Sequence, residues 1–250
     1  MFASLPRPTI FAHRGASAHA PENTLAAFTL ACEHGADAIE LDAKLSADAQ
    51  VVVIHDLTVE RTTNGQGRVG SLTLRELKQL DAGSHFSAAF KGEPIPTLEE
   101  VFAALGQRIF INVELTNYAR PSDDLPEKVC ALVEKYALQE RVLFSSFNPL
   151  ALLRARRCLP QIPAGLLALA GSAGRLARSP LARLIPHQAL HPEIGDVTPQ
   201  LVRRTQRSGR RVHVYTVNRP DDMRRLFALG VDGIFTDDPH LARQILSKTL

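Results

Sequence analysis

At 250 residues the chain has the usual size of one closed α/β barrel, and its 45% hydrophobic and 22% charged make-up argues against disorder. No stretch approaches the roughly 20 apolar residues of a membrane helix, so no stable membrane insertion is expected. The net charge of +3 hides an asymmetry: residues 1–150 carry 13 basic and 19 acidic side chains, residues 151–250 carry 16 and 7. The arginines of the second part are spread over helical stretches without interleaved aromatics, which fits solvated helix faces and not a nucleic-acid partner.

The N-terminal Met1–Pro8 lacks a basic-then-apolar signal pattern, and the three scattered cysteines (Cys32, Cys130, Cys158) suit reduced thiols, so a cytoplasmic location is expected. Short apolar runs then alternate with helical patterns. In chain order, strands are predicted at Thr9–His13, Ala38–Leu45, Val51–His55, Ile109–Leu115, Val142–Ser145, Ala164–Leu169, Ala189–His191, Arg211–Val217 and Gly233–Thr236. Asn23 or Thr24 caps a helix ending at His34, Pro199 opens one ending near Ser208, and Pro220 opens another that stops before Gly230. Repeated strand–helix units require a parallel sheet, and about eight of them make a (β/α)8 TIM barrel spanning residues 1–250. Two segments break the rhythm. Residues 56–96 hold turn chemistry around one helical piece, Thr73–Leu80, and read as a small insertion between early barrel units; Gly171–Pro186 reads as a loop or short helix.

Side chains alternate along a strand, so Glu40 and Asp42 point the same way, toward the barrel axis, while Ile39 and Leu41 face the helices. Two inward carboxylates need a positive partner, and either a divalent cation or a salt bridge to a residue such as Lys44 would serve. Glu114 favours the cation, because the same alternation brings it and Asn112 inward at another strand end. All-oxygen ligands without a His-x-His pair suit Mg2+ or Ca2+ better than zinc. His13 and His55 end two further strands, where one can take a proton from a nucleophile and the other give one to a leaving oxygen. Arg14 offers a planar cation for a phosphate oxygen, and Gly15 permits close backbone approach.

The blocks His13-Arg14-Gly15, Pro21-Glu22-Asn23-Thr24, Glu40-Leu41-Asp42, His55-Asp56, Asn112-Val113-Glu114, Ser145-Ser146-Phe147, Tyr215-Thr216-Val217-Asn218 and Gly230 to Asp237 follow one another in register. Together they resemble the glycerophosphodiester phosphodiesterases. Asp42 to Asp48 and Asp81 to Ser84 are similar to the bacterial cytosolic members. The resemblance implies Glu40, Asp42 and Glu114 as metal ligands, His13 and His55 as the acid–base pair, and Phe147 and Tyr215 as substrate-side aromatics. It also implies a small-molecule substrate, a glycerophosphodiester cleaved to glycerol 3-phosphate and an alcohol.

One block departs from the family's pattern. Where Glu-x-Lys is usual, this chain has Glu114-Leu115-Thr116. Thr116 keeps a hydrogen-bonding group toward substrate, and Lys44, two residues beyond Asp42 on the same face, can restore the charge. Without the family's lysine, weakened phosphate binding or an altered substrate preference is expected, and Thr116→Lys should then raise activity. Two other readings remain: a phospholipase on the same barrel acting on lysolipids or phosphoinositides, and a barrel that only binds.

Overall fold

The computed structural model describes residues 4–249. Nine strands lie among them: β1 (Thr9–Ala12), β2 (Ala38–Leu45), β3 (Val51–Val53), β4 (Phe110–Leu115), β5 (Val142–Ser146), β6 (Ala164–Ala168), β7 (Ala189–Pro192), β8 (Arg211–Val214) and β9 (Gly233–Thr236). All but β3 run parallel, in the ring order β1-β2-β4-β5-β6-β7-β8-β9. The ring closes because β1 pairs on one side with β2 (Phe11 opposite Ala38) and on the other with β9 (Thr9 opposite Gly233). The helices are α1 (Leu25–Glu33), α2 (Leu74–Leu77), α3 (Leu98–Leu105), α4 (Leu125–Lys135), α5 (Pro149–Cys158), α6 (Pro199–Arg207), α7 (Pro220–Leu229) and α8 (Pro239–Thr249). The expected (β/α)8 barrel is the observed one.

Local chemistry sets the helix starts. Thr24 Oγ1 accepts from Ala27 N–H at the head of α1, and Thr97 with Glu100 forms a reciprocal capping box at the head of α3. Outward side chains of β2 and β4, Ile39, Leu41, Ile111 and Val113 among them, pack with Phe28 of α1, Val101 and Phe102 of α3 and Val129 of α4. Inside the barrel Phe11, Leu143 and Phe235 form a plug, and Phe235 also faces the cavity described below. Phe11 is fully buried, and its truncation to alanine would cost about 3–5 kcal/mol.

Val51–His55 is not a barrel strand. Only Val51–Val53 is extended, and it runs antiparallel to β2, with Ala43 opposite Val53. The reason is connection length: residues 46–50 form a tight reversal pinned by Gln50 N–H on Ser46 Oγ, whereas a parallel partner needs a crossover of a dozen or more residues. Val52 of β3 joins Ile54, Val59, Val69, Leu77 and Ile95 in a small apolar cluster of their own. Between β6 and β7 two short 3-10 turns, Gly171–Gly174 and Pro180–Leu184, stand where the other units carry a helix.

Two histidines complete the plug. His213 Nδ1 lies 3.2 Å from His191 Nε2, and both rings are buried against Phe11 and Phe235. Burial, reinforced by the charge of His187, pushes His191 down to about 3, and burial beside His191 pushes His213 well down. A depressed histidine is neutral when folded but protonates once unfolded, so its stabilisation is complete above pH 6.5 and is lost as pH falls toward the folded value. From pH 7 to pH 5 His191 alone should therefore cost the protein about 2 kcal/mol. Urea unfolding at the two pH values checks this. The loss should be smaller in His191→Leu, whose lower overall stability does not affect the difference.

Candidate active site

The carboxyl ends of the barrel strands surround a cavity of about 190 Å3 lined by His13, Arg14, Glu40, Asp42, His55, Asn112, Glu114, Ser145, Phe147, Leu167, Tyr215, Thr216 and Phe235. Eight residues singled out from the sequence meet in this one space: His13, Arg14, Glu40, Asp42, His55, Glu114, Phe147 and Tyr215.

Glu40, Asp42 and Glu114 arrive by strand alternation from β2 and β4, whose register sets Asp42 opposite Glu114. Their oxygens lie within 4.8 Å of one another, and the trio can hold a metal ion. Without one, burial and then the charges of Asp42 and Glu114 push the Glu40 carboxyl far up, and burial and Asp42 push Glu114 up to about 8. Asn112 Nδ2 donates to Ser145 Oγ at 2.8 Å, while Asn112 Oδ1 is shielded from solvent with no hydrogen-bond partner. Crowded carboxyls and an orphaned amide oxygen are the donor set that a hard divalent cation satisfies.

The loop after β1 grips this cluster. Arg14 has φ 58° and turns its N–H onto Glu40 Oε2 at 2.9 Å, while its Nη1 donates to Glu22 Oε1 at 2.8 Å and its Nε faces Asp42 Oδ2 at 3.5 Å. Asn23, also left-handed at φ 58°, donates from Nδ2 to Asp42 Oδ2 at 2.9 Å. Gly15 serves helix packing and not a ligand: at φ 87°, a Cβ there would lie 2.7 Å from the Ala27 carbonyl carbon of α1. Glu22 feels burial pushing its pKa up, yet the hydrogen bonds from Arg61 and the charge of Arg14 hold it down to about 2.

Each cavity histidine is tied through Nδ1. His13 Nδ1 meets Asp237 Oδ1 at 2.7 Å, and His55 Nδ1 meets Asp56 Oδ1 at 2.6 Å. A carboxylate at Nδ1 holds a proton there and leaves Nε2 as the nitrogen for proton transfer. Asp237 is itself fixed by Asn218 Nδ2 at 2.5 Å, and Asp56 by Arg61 Nε at 2.6 Å. Reading the sequence alone assigned no role to Asp237, Asn218 or Arg61. Asp237 and Asn218 lie in blocks that carry the resemblance, but no local pattern says that residues over 200 positions apart will touch.

Thr116 is placed elsewhere. It lines a neighbouring cavity of about 260 Å3 with Lys44 and Arg68, and its hydroxyl donates to Ala43 O at 2.6 Å and accepts from Lys44 Nζ at 2.6 Å. Lys44 is buried; burial lowers its pKa against the opposing charges of Asp42, Glu114 and Asp56. Tyr118, not singled out from the sequence, donates from its hydroxyl to Glu114 Oε1 at 2.7 Å. It packs edge-on to Phe147, which packs edge-on to Tyr215, forming an aromatic side to the mouth.

Residues 13–241 match the model of the glycerophosphoryl diester phosphodiesterase family. A glycerophosphodiester phosphodiesterase of Caldanaerobacter subterraneus is 42% identical over 240 residues, covering 96% of this chain and 98% of that protein. Among solved structures, an Oleispira antarctica phosphodiesterase in complex with the product sn-glycerol-3-phosphate superposes with a TM-score of 0.89 at 32% identity, covering 96% and 97% of the two chains. The glycerophosphodiester phosphodiesterase of Agrobacterium tumefaciens gives 0.83 at 32% identity, covering 94% and 99%. The chain belongs to the glycerophosphoryl diester phosphodiesterase family.

Proposed function

We propose that this protein hydrolyses glycerophosphodiesters to glycerol 3-phosphate and an alcohol by acid–base catalysis between His13 and His55. The observation that carries the reading is the pair of imidazoles, each held at Nδ1 by its own carboxylate, in a cavity shared with Arg14 and the three acidic side chains. The Oleispira complex supports the product assignment, since glycerol 3-phosphate occupies a close structural relative.

In this mechanism His13 Nε2 takes a proton from the attacking water as the water oxygen bonds to phosphorus. His55 Nε2 gives a proton to the alcohol oxygen as the phosphorus–oxygen bond breaks. His55 side-chain exposure is 42% against 21% for His13, which favours His55 on the side where the alcohol departs. Arg14 turns its remaining guanidinium edge to a phosphoryl oxygen, and Phe147 and Tyr215 flank the organic part of the substrate. Glu40, Asp42 and Glu114 would hold Mg2+ or Ca2+, which supplies positive charge to offset that gathering on the phosphoryl oxygens. The free cysteines Cys32, Cys130 and Cys158 support action in a reducing compartment, the cytoplasm.

The test is release of glycerol 3-phosphate from glycerophosphocholine with Mg2+, Ca2+ or EDTA. Metal-dependent release that Glu40→Ala abolishes supports the reading; none from folded, metal-replete protein overturns it. Lysophosphatidylcholine belongs in the same assay, because Leu176, Leu181 and Leu184 are 64%, 62% and 83% exposed, a feature that favours a lipid substrate as the second reading.

Lys44 is the cation we assign to the position beside Glu114. A second lysine at 116 would meet its ammonium directly, so the gain expected of Thr116→Lys gives way to a loss. Lys44→Met should lower kcat/KM by about tenfold to a hundredfold, the usual worth of one charge-assisted contact. Thr116→Lys should recover part of that loss in the Lys44→Met background. Steady-state rates of the three variants decide it.

A further inference from the structure

Outside the barrel mouth, a second group of metal-type ligands stands where the loop after β1, the end of α1 and the start of α8 meet. His19 lies in the loop, His34 follows α1 as its C-cap, and Asp238 directly precedes α8. One ligand atom from each lies within 4.8 Å of the others. His19 Nε2 is 3.1 Å from Asp238 Oδ2. The rings of His19 and His34 are edge-on with centroids 5.3 Å apart, and the His240 ring also stands 5.3 Å from that of His34. His34 Nδ1 is shielded from solvent and has no hydrogen-bond partner, which is a cost unless something else satisfies it.

We propose that His19, His34 and Asp238 form a second metal site, for a borderline transition ion of the zinc class, on the outer wall of the barrel.

The donor set separates the two sites by chemistry. Glu40, Asp42 and Glu114 offer only oxygen, the set for Mg2+ or Ca2+, whereas two imidazoles and a carboxylate favour zinc, cobalt or nickel. Tetrahedral coordination with bonds near 2.0 Å brings ligand atoms to about 3.3 Å, and the exposed His19 side chain is free to close that gap. The carboxylate is already oriented, because Asp238 Oδ1 accepts from Leu241 N–H at 2.9 Å and leaves Oδ2 for the ion.

The position gives the ion a consequence. Asp238 follows Asp237, the partner of His13, and the His19 loop already binds there through Ala18 N–H to Asp237 O at 3.0 Å. An ion at His19, His34 and Asp238 would therefore clamp the first and last barrel units together directly behind His13. The site is a brace whose occupancy follows the supply of zinc, independent of which diester the enzyme cleaves.

Zinc titration of chelator-treated protein by calorimetry, in excess Mg2+, tests the proposal. The expected result is one zinc bound per chain. His34→Ala and Asp238→Asn, the latter keeping a helix-capping side chain, should each weaken it by more than about tenfold, while Glu40→Gln should leave it unchanged. Cobalt in place of zinc should give visible absorption bands of a tetrahedral ion that the same two variants lose. No zinc uptake, uptake unchanged in both His34→Ala and Asp238→Asn, or uptake lost only in Glu40→Gln would overturn the site.

Discussion

His13→Ala is expected to lower kcat for glycerophosphodiester cleavage by about a thousandfold while KM changes little, because a general base acts only as the transition state forms. Asp237→Asn should follow it at a smaller scale, about a hundredfold. An amide at that position can donate where the carboxylate accepts, and so presents the wrong nitrogen of His13 to the nucleophile. Asn218→Ala removes the bond to the Asp237 carboxylate, together with those Asn218 Oδ1 accepts from Asp237 N–H and Thr236 Oγ1, but leaves the carboxylate on His13 and should cost less than either. Initial rates of glycerol 3-phosphate release under saturating substrate give the order directly. An Asp237→Asn enzyme as fast as the parent would show that His13 needs no fixed tautomer and would remove it from the role of base.

Stripping divalent ions should abolish activity and also change the protonation of the folded protein. With no ion present, burial and neighbouring charge push Glu114 up to about 8, so it carries a proton at pH 7, and they push Glu40 well above its ordinary range. A folded-state carboxyl raised in this way favours folding below its unfolded value near 4.5, and the advantage turns into a growing penalty as pH rises toward 8. Binding Mg2+ or Ca2+ requires both groups ionised, so at pH 7 it should release at least about one proton per chain. Calorimetry in two buffers of different ionisation enthalpy measures that release. It should fall in Glu114→Gln, and ion binding with no proton release in the parent would exclude Glu40 and Glu114 as ligands. The ion should also raise Tm most at high pH, where the unfilled cluster is least stable.

Much of this site is written in the local pattern of the chain. Strand alternation alone turned Glu40, Asp42 and Glu114 inward, and the structure gathers their oxygens at the mouth. Thr116 continues the alternation of Glu114 but, one step further along the strands, stands with Lys44 in the neighbouring cavity. Val51–His55 read as a barrel strand from its apolar run, although the five residues separating it from β2 already ruled out a parallel partner. The partners of the histidines differ in the same way. Asp56 adjoins His55 and could be guessed, whereas Asp237 reaches His13 only through the closed ring of strands. Tyr118 left no signal at all, since a lone tyrosine after a strand is common and its bond to Glu114 depends on how the loop folds back.

His13 and Asp237 stand 224 residues apart in the chain and 2.7 Å apart in space. The pair is therefore assembled only where β1 meets β9. A nascent chain on the ribosome holds nearly every other active-site residue before it holds Asp237, and it has no competent His13 until β9 has emerged and docked. Truncation that removes β9 should therefore cost His13 its carboxylate partner together with Phe235 and Thr236 of the cavity wall.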